Sequence, residues 1–166
     1  MRNFIFVCFF LMVNFAFANS IDILSLRKLY YASVSEKSQS TNFLKVMESM
    51  DVESDPLLTS YKGMAYLLMA NHCSNPYSKW NNFMKGKTLL EDAVQRNPWN
   101  IEIRFMRLCV QTNVPSFLGY SKNIESDKKF ILEQWKSMTD IDLKNKILHY
   151  MLDTKICNDS QKLTFK

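Results

Sequence analysis

DPLLTSYKGMAYLLMANHCSNPYSKWNNFMKGKTLLEDAVQRNP occupies residues 55–98 and contains three pairs in which Asp or Asn precedes proline. The pairs are Asp55-Pro56, Asn75-Pro76 and Asn97-Pro98, and they begin 20 and 22 residues apart. An Asp or Asn side chain accepts hydrogen bonds from the free amides of a first helical turn, and proline suits the first helical position because an N–H there has no partner. Each pair therefore predicts the start of a helix, and the spacing fits one helix and its turn.

Apolar residues at helical spacing continue this pattern in both directions, for example at Ile23, Leu26 and Tyr30. No period-two alternation is long enough to indicate a strand. We therefore predict an all-α protein of about seven helices. The expected helices are one capped by Ser20, one from Thr41 after a polar break at 33–40, then 56–70, 76–96 and 99–112, one capped by Ser121 and one capped by Thr139.

The chain shows no internal linker or composition shift, so its 166 residues predict a single folded domain after a leader. We expect an all-α domain over residues 19–155 and a polar C-terminal tail over 156–166 that frays. About 148 residues suffice to bury a core without disulfides or metals.

The three glycines, Gly63, Gly86 and Gly119, are few for a protein of this length. Glycine inside a helix costs about 1 kcal/mol relative to alanine, so Gly63 and Gly86 should have a packing reason. We expect both to lie where two antiparallel helices approach closely. Gly119 follows Pro115 in an irregular segment that predicts a corner.

Small, aromatic and proline residues recur at spacings that resemble the tetratricopeptide repeat (TPR). The matching positions are Gly63, Tyr66, Gly86, Leu90, Ala93 and Pro98. This resemblance implies antiparallel helical hairpins in a right-handed, TPR-like array, although another all-α array is the alternative. Residues 97–108 and 115–120 also look like small exported, functionally uncharacterised helical proteins of Gram-negative bacteria, a resemblance that implies compartment and fold and no mechanism.

The N-terminus resembles a secretory leader. One positive charge at Arg2 precedes an apolar run over residues 4–13, and Ala16-x-Ala18 is a small-x-small cleavage pattern. The apolar run, even with its continuation to Ala18, is shorter than the ~20 residues that cross a bilayer. We predict a signal peptide over 1–18, cleaved to give an exported periplasmic or extracellular protein with no stable membrane insertion; an uncleaved anchor is the alternative.

The charge balance of the chain argues against one class of partner, the nucleic acids. The chain has 21 Lys and Arg against 16 Asp and Glu, a net +5 that is too mild and too evenly spread for a nucleic-acid partner.

Beyond the leader, three cysteines remain, Cys73, Cys109 and Cys157. An odd number leaves one thiol free or all three reduced, and we expect no disulfide.

No residue pattern indicates catalysis, a metal site or a cofactor. The two histidines are His72 and His149, and His72 adjoins Cys73 in a way that points the two side chains apart. His149 and Cys157 are eight residues apart, and the sequence has no HxxxH or CxxC pattern. We therefore predict a protein that is not an enzyme.

One polar cluster is the strongest candidate for a binding site. Its members are Arg104, Arg107 and Gln111 on one face of a helix, and Tyr120, Asn123 and Asp127 after the corner. Converging polar groups of this kind would grip a carboxylate or a peptide backbone. The alternative, which we favour, is that Arg104 or Arg107 pairs with Asp127 or Glu125 and fixes the corner.

The aromatic residues divide into core and surface. Most of them, including Trp99 and Trp135, have the helical spacing of core residues. Tyr77 and Trp80, near a helix start, are the ones we expect to be exposed and to interact with a ligand. The sequence thus predicts a non-catalytic module of the bacterial envelope that binds a protein or peptide, or acts as a scaffold. The alternatives are a hydrolase or transferase with an unrecognised site, and a self-associating structural protein.

Overall fold

A computed structural model describes residues 22–154 and 156–165, and this part of the chain is all-α, as predicted. It contains no strand and eight α-helices, one more than expected. They are α1 (Ile23–Ser33), α2 (Lys37–Ser49), α3 (Pro56–His72), α4 (Pro76–Arg96), α5 (Ile101–Asn113), α6 (Ile124–Gln134), α7 (Ile141–Asp153) and α8 (Asp159–Lys162). The predicted leader over 1–18 and the predicted Ser20 cap lie outside the described residues.

Two of the three proline pairs start helices as predicted. The Asp55 carboxylate accepts a hydrogen bond of 2.7 Å from the Leu57 amide, and Pro56 is the first residue of α3. Asn75 accepts from the Ser78 amide at 3.1 Å, and Pro76 begins α4.

The prediction for Asn97-Pro98 is wrong. The Asn97 amide donates to the Ala93 carbonyl and ends α4. The cap of α5 is Asn100, whose side chain accepts from the amides of Glu102 and Ile103. Pro98 therefore lies in the turn between the two helices, because a second capping residue follows it.

The polar segment before residue 41 was also wrongly predicted, since α2 begins at Lys37 rather than at Thr41. The buried hydroxyl of Ser40 donates to the Ser33 carbonyl at 2.5 Å, so the two serines close a tight α1–α2 turn. A hydroxyl satisfied by nearby backbone explains how a polar segment becomes helical and buried.

The residues that precede α6 and α7 also differ from the predicted caps. Asp140, not Thr139, caps α7 by accepting from the Leu143 amide. Asn123, not Ser121, precedes α6. The segment expected to fray instead carries α8, and Cys157 before it is buried while Phe165 packs edge-on against Trp135. Apolar contacts thus order a tail whose composition is polar.

The glycines of α3 and α4 lie where the two backbones meet, as predicted. A Cβ atom on Gly86 would lie 2.6 Å from the Gly63 carbonyl oxygen, and one on Gly63 would lie 2.9 Å from the Gly86 carbonyl oxygen. No side chain fits at such distances, so glycine permits the closest approach in the α3–α4 hairpin. Gly119 has φ +60° and turns the corner after Ser116–Leu118, a single turn of 3-10 helix.

Two apolar clusters form the interior, and α5 belongs to both. Ile103 and Met106 of α5 join a cluster with residues of α1 to α4. Phe105 and Leu108, on the opposite side of α5, join a second cluster with residues of α6 and α7. Helix α5 therefore couples the N-terminal hairpins to the C-terminal ones.

We expect Gly86→Ala to destabilise the protein by roughly 1–3 kcal/mol, because the gain in helix propensity is smaller than the cost of forcing α3 and α4 apart. Urea unfolding followed by circular dichroism measures this. The matched control is Asn81→Ala, at an exposed position of the same helix, which should leave stability unchanged or slightly higher. A Gly86→Ala variant as stable as Asn81→Ala would contradict the close approach.

Candidate binding groove

The described chain contains a groove of about 1140 Å³. Helices α1, α3, α5 and α7 line it, together with the start of α4 and the turn at Ser116–Leu118, whereas α2 and α6 contribute no lining residue. Its floor is apolar and includes Met64 of α3 with Phe105, Met106 and Val110 of α5. Ligand pockets for drug-sized molecules measure roughly 300–1,000 Å³, so the volume of this groove lies just above that range.

The mouth of the groove exposes apolar side chains from three separate elements. Val34 after α1 is 42% exposed, Trp80 of α4 is 52% exposed, and Phe117 of the 3-10 turn is 84% exposed. Tyr77, one turn before Trp80, is also exposed but does not line the groove. The predicted exposure of Tyr77 and Trp80 is confirmed, and their role in binding stays a prediction.

The other tryptophans differ from each other. Trp135 is buried, as expected. Trp99 is 79% exposed, with its ring 6.2 Å from that of Phe130, so its assignment to the core is wrong. Because α5 begins at Ile101, Trp99 lies in the preceding turn rather than on an inward helical face. It does not line the groove.

Most polar groups near the floor are hydrogen-bonded within the protein, whereas the Tyr30 and Tyr31 hydroxyls have no partner among the described residues. The Tyr61 hydroxyl donates to Glu102 at 2.6 Å. The Tyr150 hydroxyl lies 2.5 Å from Thr112 Oγ1 and accepts from Asn113 at 2.7 Å. Burial raises the pKa values of Tyr61 and Tyr150, and that of Tyr150 is about 12, so both hydroxyls stay protonated at neutral pH.

A buried arginine beneath the groove joins α1 to α5 and α7. Arg27 of α1 forms two hydrogen bonds to Glu102 of α5, at 2.6 Å from Nε and 2.7 Å from Nη2. The same guanidinium reaches Asp140 and Asp142, at the start of α7, at 2.7 Å and 3.3 Å. Hydrogen bonding to Glu102 raises the pKa of Arg27, which stays charged. One side chain therefore fixes α1 to both α5 and α7.

The sequence did not single out Arg27 or Glu102, although one signal was present. Arg27 is four residues after Ile23 and three before Tyr30, so it lies on the face of α1 that the apolar spacing turns inward. A charge on such a face indicates a buried partner. The partner itself is 75 residues away, and no local pattern identifies it.

The six polar residues expected at the α5–α6 corner do converge. Arg107 bonds both oxygens of Asp127, at 2.8 Å and 2.9 Å, and Asp127 is fully buried. The third guanidinium nitrogen of Arg107, Nη1, donates to Glu91 at 2.9 Å. Glu91 also accepts from the Tyr120 hydroxyl at 2.6 Å. This is the arrangement in which arginine fixes the corner.

The remaining members of the cluster are engaged in the same way. The Asn123 amide donates to Gln111 at 3.1 Å. Arg104 Nε lies 2.5 Å from Asp127 Oδ1, which makes an ion pair whose angle is not that of a hydrogen bond. Arg104 also stacks on Phe130 and donates to the Ser126 carbonyl. None of these six predicted residues lines the groove, so the cluster and the groove are separate places.

Reactive side chains near the groove are not arranged as a nucleophile and its base. Burial raises the pKa of the Cys109 thiol and that of Cys157, which makes both poor nucleophiles. His149 Nδ1 lies 3.7 Å from Asp153 Oδ2 at the exposed rim. Within the described residues, neither histidine is hydrogen-bonded to a serine, threonine or cysteine, and the three cysteines are free.

Within residues 22–154 and 156–165, no three His, Cys, Asp or Glu side chains are placed to hold a metal ion. None of the described helices combines the length and apolarity required to cross a membrane.

Comparison with protein-family models, curated proteins and solved structures finds no match to this chain. The resemblances to tetratricopeptide repeats and to exported bacterial proteins therefore stay predictions. The groove, its exposed mouth and the charges on its rim are what support a function.

We expect Arg107→Ala to destabilise the protein by about 3–5 kcal/mol, because it leaves the buried Asp127 carboxylate without its bidentate partner. Urea unfolding at neutral pH is the measurement. Lys129→Ala, at a largely exposed lysine of the same α5–α6 unit, is the control and should change little. Equal stability of the two variants would favour a ligand-binding role for the corner.

Asp140 gives a pH-dependent test of the Arg27 contacts. Its hydrogen bond from Arg27 lowers its pKa below the ordinary 3.8, so its charge adds stability above that value and the addition is lost as pH falls through the lower, folded pKa. We expect Asp140→Asn, which keeps the helix cap, to cost at most about 1 kcal/mol at pH 7, since the side chain is partly exposed, and nothing at low pH.

Unfolding free energies of the wild type and Asp140→Asn at pH 7 and near pH 2 measure this difference. Asp22→Asn is the matched control, since Asp22 also caps a helix but forms no ion pair among the described residues. A difference that persists unchanged at low pH would show that the Asp140 charge is not its source.

Proposed function

We propose that this protein is an exported, non-catalytic module of the bacterial envelope that binds a protein or peptide, or acts as a scaffold, through its concave groove. The observation that carries the proposal is the large apolar groove whose mouth exposes Val34, Trp80 and Phe117. Contiguous apolar surface open to water is rare on monomeric proteins away from interaction sites.

A TPR-like array is the architecture that best accounts for the groove. Every second helix, from α1 to α7, lines the same concavity together with the start of α4, and α2 and α6 stand outside it. Stacked helical hairpins produce extended concave surfaces of this kind, which repeat proteins use for binding. The close glycine contact in the α3–α4 hairpin supports the same proposal.

Export is supported by the sequence of the N-terminus, with its positive charge, apolar run and Ala16-x-Ala18 pattern. Cleavage after residue 18 would release the helical domain into the periplasm or the extracellular space. A partner in that compartment would be a secreted or envelope protein, or a peptide derived from one.

The test is selection of peptides from a random display library against the mature protein, followed by titration of the selected peptides. We expect the double variant Trp80→Ala/Phe117→Ala to weaken binding roughly thirtyfold, because buried aromatic anchors carry most of the energy of such interfaces. Trp99→Ala removes an exposed aromatic side chain that lies outside the groove and should leave affinity unchanged.

The wild type and both variants should unfold at similar temperatures, since all three side chains are exposed. Peptides that bind the double variant as tightly as the wild type would place the binding surface elsewhere. Failure to select any peptide that competes for the groove would contradict the proposed function.

A further inference from the structure

Most hydrogen-bonding groups at the floor of the groove are engaged within the protein. Glu102 accepts from Arg27 and Tyr61, and Asn113 donates to Tyr150 and the Cys109 carbonyl, whereas the Tyr30 and Tyr31 hydroxyls have no partner among the described residues. An extended peptide laid on this floor would leave most of its backbone amides and carbonyls buried without partners, at about 1–3 kcal/mol for each group. A partner that satisfies its own backbone avoids this cost.

An α-helix is such a partner, because its backbone hydrogen bonds are internal. Its size also fits. A helix about 10 Å across and three turns long fills a cylinder of roughly 1,300 Å³, close to the 1140 Å³ of the groove. The apolar side chains at the mouth come from three elements around this opening, so a wide partner would cover all of them.

The charges on the rim favour an acidic partner. Lys79 of α4 and Lys146 of α7 line the groove, and among the described residues neither forms an ion pair. Lys146 lies over the Tyr31 ring at 4.5 Å from its centre, which holds its charge at the rim. The lining carboxylate of Glu102 is neutralised by Arg27, so the two lysines stand against the single lining carboxylate of Asp153.

We propose that the groove takes one amphipathic α-helix of a protein partner, with its apolar face on the Met64, Phe105 and Met106 floor and acidic residues opposite Lys79 and Lys146. This inference rests on the proposed function and specifies the partner. Large apolar residues at positions i, i+3, i+4 and i+7 would contact the floor and the mouth.

Three synthetic peptides of about 18 residues test the proposal by fluorescence titration at low salt. The first has leucines at i, i+3, i+4 and i+7 and glutamates on the flanks, the second has lysines in place of the glutamates, and the third is the first peptide with two central prolines. We expect the acidic peptide to bind and to gain helical circular dichroism. The lysine peptide should bind roughly threefold to tenfold more weakly, and the proline peptide should not bind.

Variants of the protein give the reciprocal measurement. Lys79→Glu/Lys146→Glu should lower the affinity for the acidic peptide and raise the affinity for the lysine peptide, each by roughly threefold to tenfold. Lys129→Glu changes an exposed lysine that does not line the groove and should affect neither peptide. Trp80→Ala/Phe117→Ala should weaken both peptides alike.

Several results would contradict the inference that the partner is helical or that it is acidic. If the proline peptide binds as tightly as the acidic peptide, the partner need not be helical. If the lysine peptide binds as tightly as the acidic peptide, the partner need not carry acidic flanks. A sixteen-carbon fatty acid that binds more tightly than either helical peptide would replace the protein partner with a lipid. Concentration-dependent dimerisation abolished by Trp80→Ala/Phe117→Ala would make a second copy of the chain the occupant.

Failure of this inference is distinguishable from failure of the proposed function. If the synthetic helices do not bind while library-selected peptides of another conformation bind through Trp80 and Phe117, the groove binds peptides and the helix is wrong. If neither class binds through those residues, the proposed function fails as well.

Discussion

The buried ion pair between Arg27 and Glu102 is the contact on which the shape of the groove depends. It joins α1 to α5, and the same guanidinium holds Asp140 and Asp142 at the start of α7. Removing one member of such a buried pair costs about 3–5 kcal/mol, although an apolar replacement of the whole pair is often neutral. Its main contribution is therefore geometric, because it sets where the first and last lining helices stand around the floor.

A second buried pair, Arg107 with Asp127, plays the corresponding part between α5 and α6. Each pair includes one residue of α5, Glu102 in the first and Arg107 in the second. Helix α5 also supplies residues to both apolar clusters. The groove is consequently built on a helix that is fixed by two buried ion pairs, while its mouth is formed by exposed side chains. Under the proposed function, such a binding surface would be formed before its partner arrives.

Much of the fold could be predicted from the sequence because its signals are local. The caps at Asp55 and Asn75, the glycine contact of α3 with α4 and the corner at Gly119 all depend on neighbouring residues or on one hairpin. The groove could not be predicted, since it depends on Arg27 and Glu102, which are 75 residues apart. The corner cluster had the clearest sequence pattern, but its partners satisfy one another, so the pattern identified a structural contact and missed the groove beside it.

Nuclear magnetic resonance of methionine methyl groups tests most directly whether this groove binds the partner. Met64 and Met106 lie on its floor, whereas Met47 and Met151 are fully buried outside it. On addition of a binding peptide to the methyl-labelled protein, we expect the Met64 and Met106 signals to shift in a saturable way while those of Met47 and Met151 stay in place. Saturable binding that leaves Met64 and Met106 unmoved would contradict the account.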